Sequence, residues 1–215
     1  MAYTGGDISG TFIGQATNNV QDFFNVRAEH GPSAGDMTHS FIADVVYTLP
    51  TFASRSAFSR QVLGGWQVSG IIKANTGLPF DVTQTSSVIA RPDVISFNDA
   101  MGKTCCDRGN ATLQYLNPAA FQRVAVSSVS SATVRPGNLR HNTFRGPGFA
   151  VVDSSISKRL VLTEKVSFEL RADLLNALNH TNYTTVQTSI NATNFGAITA
   201  AAPSRVIQVQ GRLSF

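Results

Sequence analysis

Glu169, Arg171 and Asp173 lie two residues apart in turn, so an extended chain would put all three on one side. Paired carboxylates in such a row can shuttle a proton. Neighbouring charges more commonly neutralise one another, and no catalytic residue is assigned here. Cys105 and Cys106 are adjacent. Two neighbouring thiols do not fill a zinc tetrahedron, which takes three or four spaced ligands. Two readings of them stand: a vicinal disulfide in an oxidising compartment, or a pair of free thiols. His30, His39, His141 and His180 are dispersed, and no metal site is expected. The chain holds no G-x-S-x-G and no H-E-x-x-H, and GDISG at 6–10 has the wrong spacing. GGDISG and RGPGF lack the lysine and the strand-to-helix setting of a phosphate loop. RGPGF reads instead as a turn entering a strand. The expectation is a protein that is not an enzyme and uses no cofactor.

The elements that must position these residues follow from pattern. The 215 residues are 42% hydrophobic but only 14% charged, against roughly 25% charged in an ordinary soluble domain. Ser, Thr and Asn supply the remaining polarity. A net charge of +4 is too small, and the hydrophobic share too large, for a disordered chain. No apolar run reaches the roughly 18 residues of a membrane-crossing helix. The pI of 9.4 comes from scattered arginines with no basic run, so no nucleic-acid partner is expected. The opening MAYTGGDISGTFIGQATNNV has neither the basic start nor the apolar segment of a signal peptide. The chain is therefore either cytosolic or without its true N-terminus.

Five segments alternate with period two, the mark of a strand with two unlike faces. In 39–49, Phe41, Ala43, Val45, Tyr47 and Leu49 oppose Ser40, Asp44 and Thr48, with Ile42 and Val46 as exceptions. In 65–75, Trp66, Val68, Gly70, Ile72 and Ala74 oppose Gln67, Ser69, Lys73 and Asn75. In 152–160, Val152, Ile156 and Leu160 oppose Asp153, Ser155, Ser157 and Arg159, but Ser154 and Lys158 fall on the apolar side. In 166–174, Val166, Phe168, Leu170, Ala172 and Leu174 oppose Ser167, Glu169, Arg171 and Asp173. In 205–215, Ile207, Val209, Gly211, Leu213 and Phe215 oppose Gln208, Gln210, Arg212 and Ser214. A helical period would mix the charged and apolar sets, so these are strands.

The connections alternate between short or moderate (161–165 short, 50–64 moderate) and long (76–148 and 175–204). Long loops are uncommon in a compact soluble domain. They are expected of an outer-membrane barrel, with short turns on one side and long loops on the other. The strand lengths suit a tilted crossing of the hydrocarbon layer. Tyr47 and Trp66 flank the same 50–64 connection, as rings of an aromatic girdle would. A soluble or surface-exposed all-β binding or adhesion module is the alternative, with a second sheet covering Phe168, Leu170, Val209 and Leu213.

The segments THSFIADVVYTLP, LGGWQVSGIIKANTGLPFDV, NPAAF, GNLRHNTFRGPGFAVVDSSISKRLVLTEKVSFELRADLLNALNHTNY and the final RLSF carry a resemblance. Together they resemble the C-terminal part of the β-barrel of Oar-like TonB-dependent receptors, outer-membrane proteins with a carboxypeptidase-regulatory-like domain. The resemblance implies an all-β fold: antiparallel strands forming the C-terminal segment of an outer-membrane β-barrel, an incomplete barrel with long extracellular loops. Residues 1–38 would be an extracellular loop or the remnant of a preceding strand, and 39–215 the barrel segment with its long loop 76–148.

The implied function is energised uptake of a ligand through a plugged barrel in the cell outer membrane of a Gram-negative-type bacterium. Asp44, Lys73, Asp153, Arg159, Glu169, Arg171, Asp173 and Arg212 would face the lumen, toward ligand or plug. Gly211, Leu213 and Phe215 would carry the assembly signal. Partners would be outer-membrane lipid, the barrel-assembly machinery, and TonB and a plug domain through upstream parts. The connections 50–64 and 161–165 would be periplasmic, and 1–38, 76–148 and 175–204 extracellular. Five strands cannot close a barrel, which takes at least about eight, so the chain is expected to be a fragment.

Overall fold

The period-two segments form five long antiparallel strands. The computed structural model describes residues 3–4, 21–22, 24–50, 64–86, 90–102, 113–131 and 133–215. Strand β1 is Ser40–Thr48, β2 Trp66–Asn75, β3 Phe149–Val161, β4 Ser167–Leu175 and β5 Val206–Ser214. They pair in the order β5-β4-β3-β2-β1. Each strand thus pairs only with its neighbours in sequence, giving an up-and-down meander. The sheet is open: β1 and β5 are its edges. Nine residues at about 3.4 Å each span about 30 Å, and a tilt of about 40° reduces this to about 23 Å, close to the height of a barrel's apolar band.

Turn chemistry sets the ends of β3 and β4. The 162–166 connection is a tight turn in which Leu162 N–H donates to the Val166 carbonyl at 3.0 Å. After β4, Asn176 and Asn179 adopt φ of 51° and 53°, a left-handed conformation that asparagine tolerates better than most residues. Asn176 Oδ1 accepts from His180 N–H at 3.0 Å, and its own N–H donates to Asp153 Oδ1 at 2.8 Å. The Asn182 amide then acts as a strand partner for Ala150, accepting from its N–H at 2.7 Å and donating to its carbonyl at 2.8 Å. The asparagines of LNALNHTN are therefore the structural terminus of this strand.

The chain divides into two compact units. The sheet belongs to one, made of His39–Asn75, Phe149–Asn182 and Ala202–Phe215. The other comprises Met1–Thr38, Thr76–Gly148 and Tyr183–Ala201. It has its own apolar core, in which Phe121 meets Phe144 edge-on at 5.5 Å and Phe195 at 5.2 Å, around buried Val82, Leu116 and Leu139. Short ladders brace it: Pro79–Phe80 with Phe144–Arg145, Asp93–Val94 with Phe121–Gln122, and Tyr183–Val186 with Ile198–Ala201. The long connections, which read in the sequence as polar loops, thus build a packed structure.

Candidate functional site: the two faces of the sheet

Residues directly opposite one another in a ladder share a face. The registers therefore assign every strand residue to a side. One side carries Asp44, Lys73, Asp153, Arg159, Glu169, Arg171, Asp173 and Arg212 together. Glu169 stands directly opposite Arg159 on one flank and Arg212 on the other. Arg171 Nε donates to both Asp173 oxygens, at 2.9 and 3.0 Å, and Arg159 donates to Ser167 Oγ at 3.2 Å. One row, Thr48–Gln67–Ser157–Arg171–Gln210, is polar across all five strands. Hydroxyls, amides and balanced charges make this a wettable surface suited to hydrogen-bonding a polar solute or segment.

The charges are also sorted along the strands. Arg159, Arg171, Arg212 and Glu169 occupy the half nearest the 162–166 turn, while Asp44, Asp153, Asp173 and Lys73 occupy the other half. Ile42, Val46 and Ile71 are apolar intrusions on this side, and Phe149, Val151, Val161, Leu175 and Val206 add others toward the strand ends.

The opposite side carries Phe41, Val45, Val68, Ile72, Ile156, Phe168, Leu170, Val209 and Leu213. Most of its apolar side chains are exposed: Val209 is 70% exposed and Leu213 56%, while Phe168 is half-buried. A soluble sandwich would cover these positions. Tyr47 and Trp66 lie on this side near the end that leads into the 49–65 connection. Gly211 and Leu213 share it, and Phe215 follows the strand, 97% exposed. A Cβ at Gly211 would stand 3.2 Å from the Phe168 ring, so that ring lies across the glycine. Cys105 and Cys106 fall outside the described residues.

The second unit is held by ion pairs that spacing in the sequence does not reveal. Arg91 bonds Glu29 at 2.6 Å, both side chains buried, and Arg91 Nε donates to the Leu139 carbonyl. Gln21 joins the same network, accepting from Arg91 N–H at 2.6 Å and donating to the Gly137 carbonyl. Arg145 bonds Asp36 at 2.5 Å, and Asp81 receives His141 Nδ1 at 2.6 Å and the Asn142 N–H at 2.5 Å. Arg135 grips Asp93 with two nitrogens. Those hydrogen bonds hold the Asp93 carboxyl below the usual range, outweighing the opposing effect of burial. Burial pushes the Tyr115 hydroxyl up, and that hydroxyl donates to the Arg145 carbonyl at 2.8 Å. No group of three or more metal-ligating side chains occurs among the described residues.

An antiparallel meander with one bare apolar face, one polar face and strands of crossing length defines a membrane β-sheet. A family model described as an outer membrane beta barrel domain matches residues 4–208. The chain belongs to that family, and its place is the outer membrane. No curated protein and no solved structure matches it.

Proposed function

We propose that these strands form part of the wall of a plugged outer-membrane barrel, and that the whole protein is a TonB-dependent receptor of the Oar-like kind. The observation that carries this reading is the sorting of every predicted lumen charge onto one face, while the other face is apolar apart from Ser154 and Lys158 and largely exposed. The resemblance of the GGWQVSG, RGPGF and LNALNHTN segments supports the finer assignment. The mechanism is gated passage, with no bond made or broken. The unit built from Met1–Thr38, Thr76–Gly148 and Tyr183–Ala201 meets ligand first. The lumen face then contacts the plug or the passing ligand through Asp44, Lys73, Asp153, Arg159, Glu169, Arg171, Asp173 and Arg212. Energy comes from the inner membrane through TonB, and Gly211, Leu213 and Phe215 address the chain to the assembly machinery.

Two experiments test it. Single cysteines are placed at Gln210 and at Val209, in a background with Cys105 and Cys106 replaced by serine. A membrane-impermeant thiol reagent should label Gln210→Cys in the folded protein, and only a lipid-soluble reagent should label Val209→Cys. Equal labelling by the impermeant reagent would remove the barrel assignment. Photocrosslinking of the whole protein in cells should capture TonB. If no such adduct forms, the energised-receptor reading fails while the barrel reading stands.

A further inference from the structure

The polar face carries its charge at two levels of β3. Asp153 and Arg159 share that strand and that face, about 20 Å apart at about 3.4 Å per residue. At the first level Asp44 stands across Ile71 from Asp153, with Lys73 diagonal to both. At the second level Glu169 stands between Arg159 and Arg212. The first level is thus left with net negative charge and the second with net positive charge. Asp153 already accepts the Asn176 N–H, whereas Asp44, Arg159 and Arg212 are exposed. Between the levels, Arg171 and Asp173 neutralise each other. Gln67 pairs across with Ser157 there, and Ser69 with Ser155. Amides and hydroxyls both donate and accept, as a peptide backbone requires of its surroundings.

This pattern matches a free oligopeptide. Whatever its sequence, an unblocked peptide at neutral pH carries an ammonium at one end and a carboxylate at the other. A segment inside a longer chain has no such ends, and a neutral sugar carries neither charge.

We propose that the polar face binds a free, extended oligopeptide of about six residues, the length that spans about 20 Å. Its ammonium lies at Asp44 and Asp153, and its carboxylate at Arg159 and Arg212. The proposal deepens the uptake reading, on which it rests, by naming the class of cargo.

The full chain, folded in detergent micelles, is irradiated with the peptide Gly-Ser-Gly-Ser-Gly-Ser bearing a benzophenone beside either end. Mass spectrometry of the digest locates the adducts. The carboxyl-end probe should label the Arg159 and Arg212 level, and the amino-end probe the Asp44 and Asp153 level. Acetylating and amidating the ends should lower the yield about fivefold, as the loss of two exposed ion pairs would. High salt should do the same. Arg159→Glu with Arg212→Glu should abolish the carboxyl-end adduct, and lysine at both positions should keep it. Benzophenone-tagged maltohexaose should label the face no better than the blocked peptide.

Equal yields from free and blocked peptides overturn the proposal, as do adducts without end preference. So does a maltohexaose yield that matches the free peptide, or no adduct at all on the polar face. The salt series and the blocked peptide need no variant. The Gln210→Cys and Val209→Cys labelling contrast, run on the same preparation, separates the failures. If that contrast holds while the peptide fails, the barrel reading stands; if it is lost, the barrel reading falls first.

Discussion

Asn182 is 2% exposed and closes both hydrogen bonds of Ala150 where β3 begins. Removing its amide strands a part-buried N–H and a part-buried carbonyl. Asn182→Ala should therefore cost about 1–3 kcal/mol, read as a lower urea midpoint of the detergent-folded protein. Leu178→Ala, at an exposed site in the same turn, should change little. A second residue-scale prediction concerns acid. Asp93 has a depressed folded pKa, so its pair with Arg135 contributes stability above the unfolded value of about 3.9. That contribution is lost as pH falls below about 4 and through the folded value. Near-UV circular dichroism should show an acid transition that is shallower in Asp93→Asn. The charged face was legible residue by residue because a strand's period is two, and one parity of Glu169, Arg171 and Asp173 fixes the rest. The Arg91–Glu29 pair was not legible: it joins positions 62 apart, and neither sits in a periodic segment.

At the scale of elements, alternation located each strand to within a few residues. The segments 39–49 and 65–75 became Ser40–Thr48 and Trp66–Asn75. The 152–160 segment proved longer, Phe149–Val161, because RGPGF leads straight into it and because Ser154 and Lys158 blurred its pattern without breaking its pairing. The short ladders of the second unit were beyond pattern reading. Two residues cannot show a period, and the core they brace draws Phe80, Phe121, Phe144 and Phe195 from distant stretches of polar composition. Register is the property most open to test. Ala172 and Val209 are directly opposite, so cysteines there should oxidise to a disulfide, whereas cysteines at Arg171 and Val209 should not. Non-reducing mass spectrometry in the Cys105→Ser, Cys106→Ser background reads the outcome, and the reverse result would shift the ladder by one residue.

For the whole molecule, the two faces of the sheet should respond oppositely to charge. Arginine at Val209 places a cation on the bare apolar side and should cost about 2–4 kcal/mol if that position lies near the bilayer midplane. Arginine at Gln210, next along the same strand but on the polar side, should cost far less. Urea titration of both variants in lipid vesicles compares them directly, and equal costs would mean that the sheet does not separate oil from water.

The unit that holds Thr76–Gly148 bears on how that sheet assembles. Pro79–Phe80 pairs with Phe144–Arg145, Gly146 N–H donates to the Leu78 carbonyl at 2.9 Å, and Gly77 packs so closely on Gly146 that a Cβ would collide with it. The two ends of a long excursion are thereby clasped within a few residues of where β2 stops and β3 starts. Shortening the effective span from some seventy residues to a handful lowers the closure entropy by about 2–3 kcal/mol. Once that clasp has formed, β2 and β3 can zip together as a hairpin does.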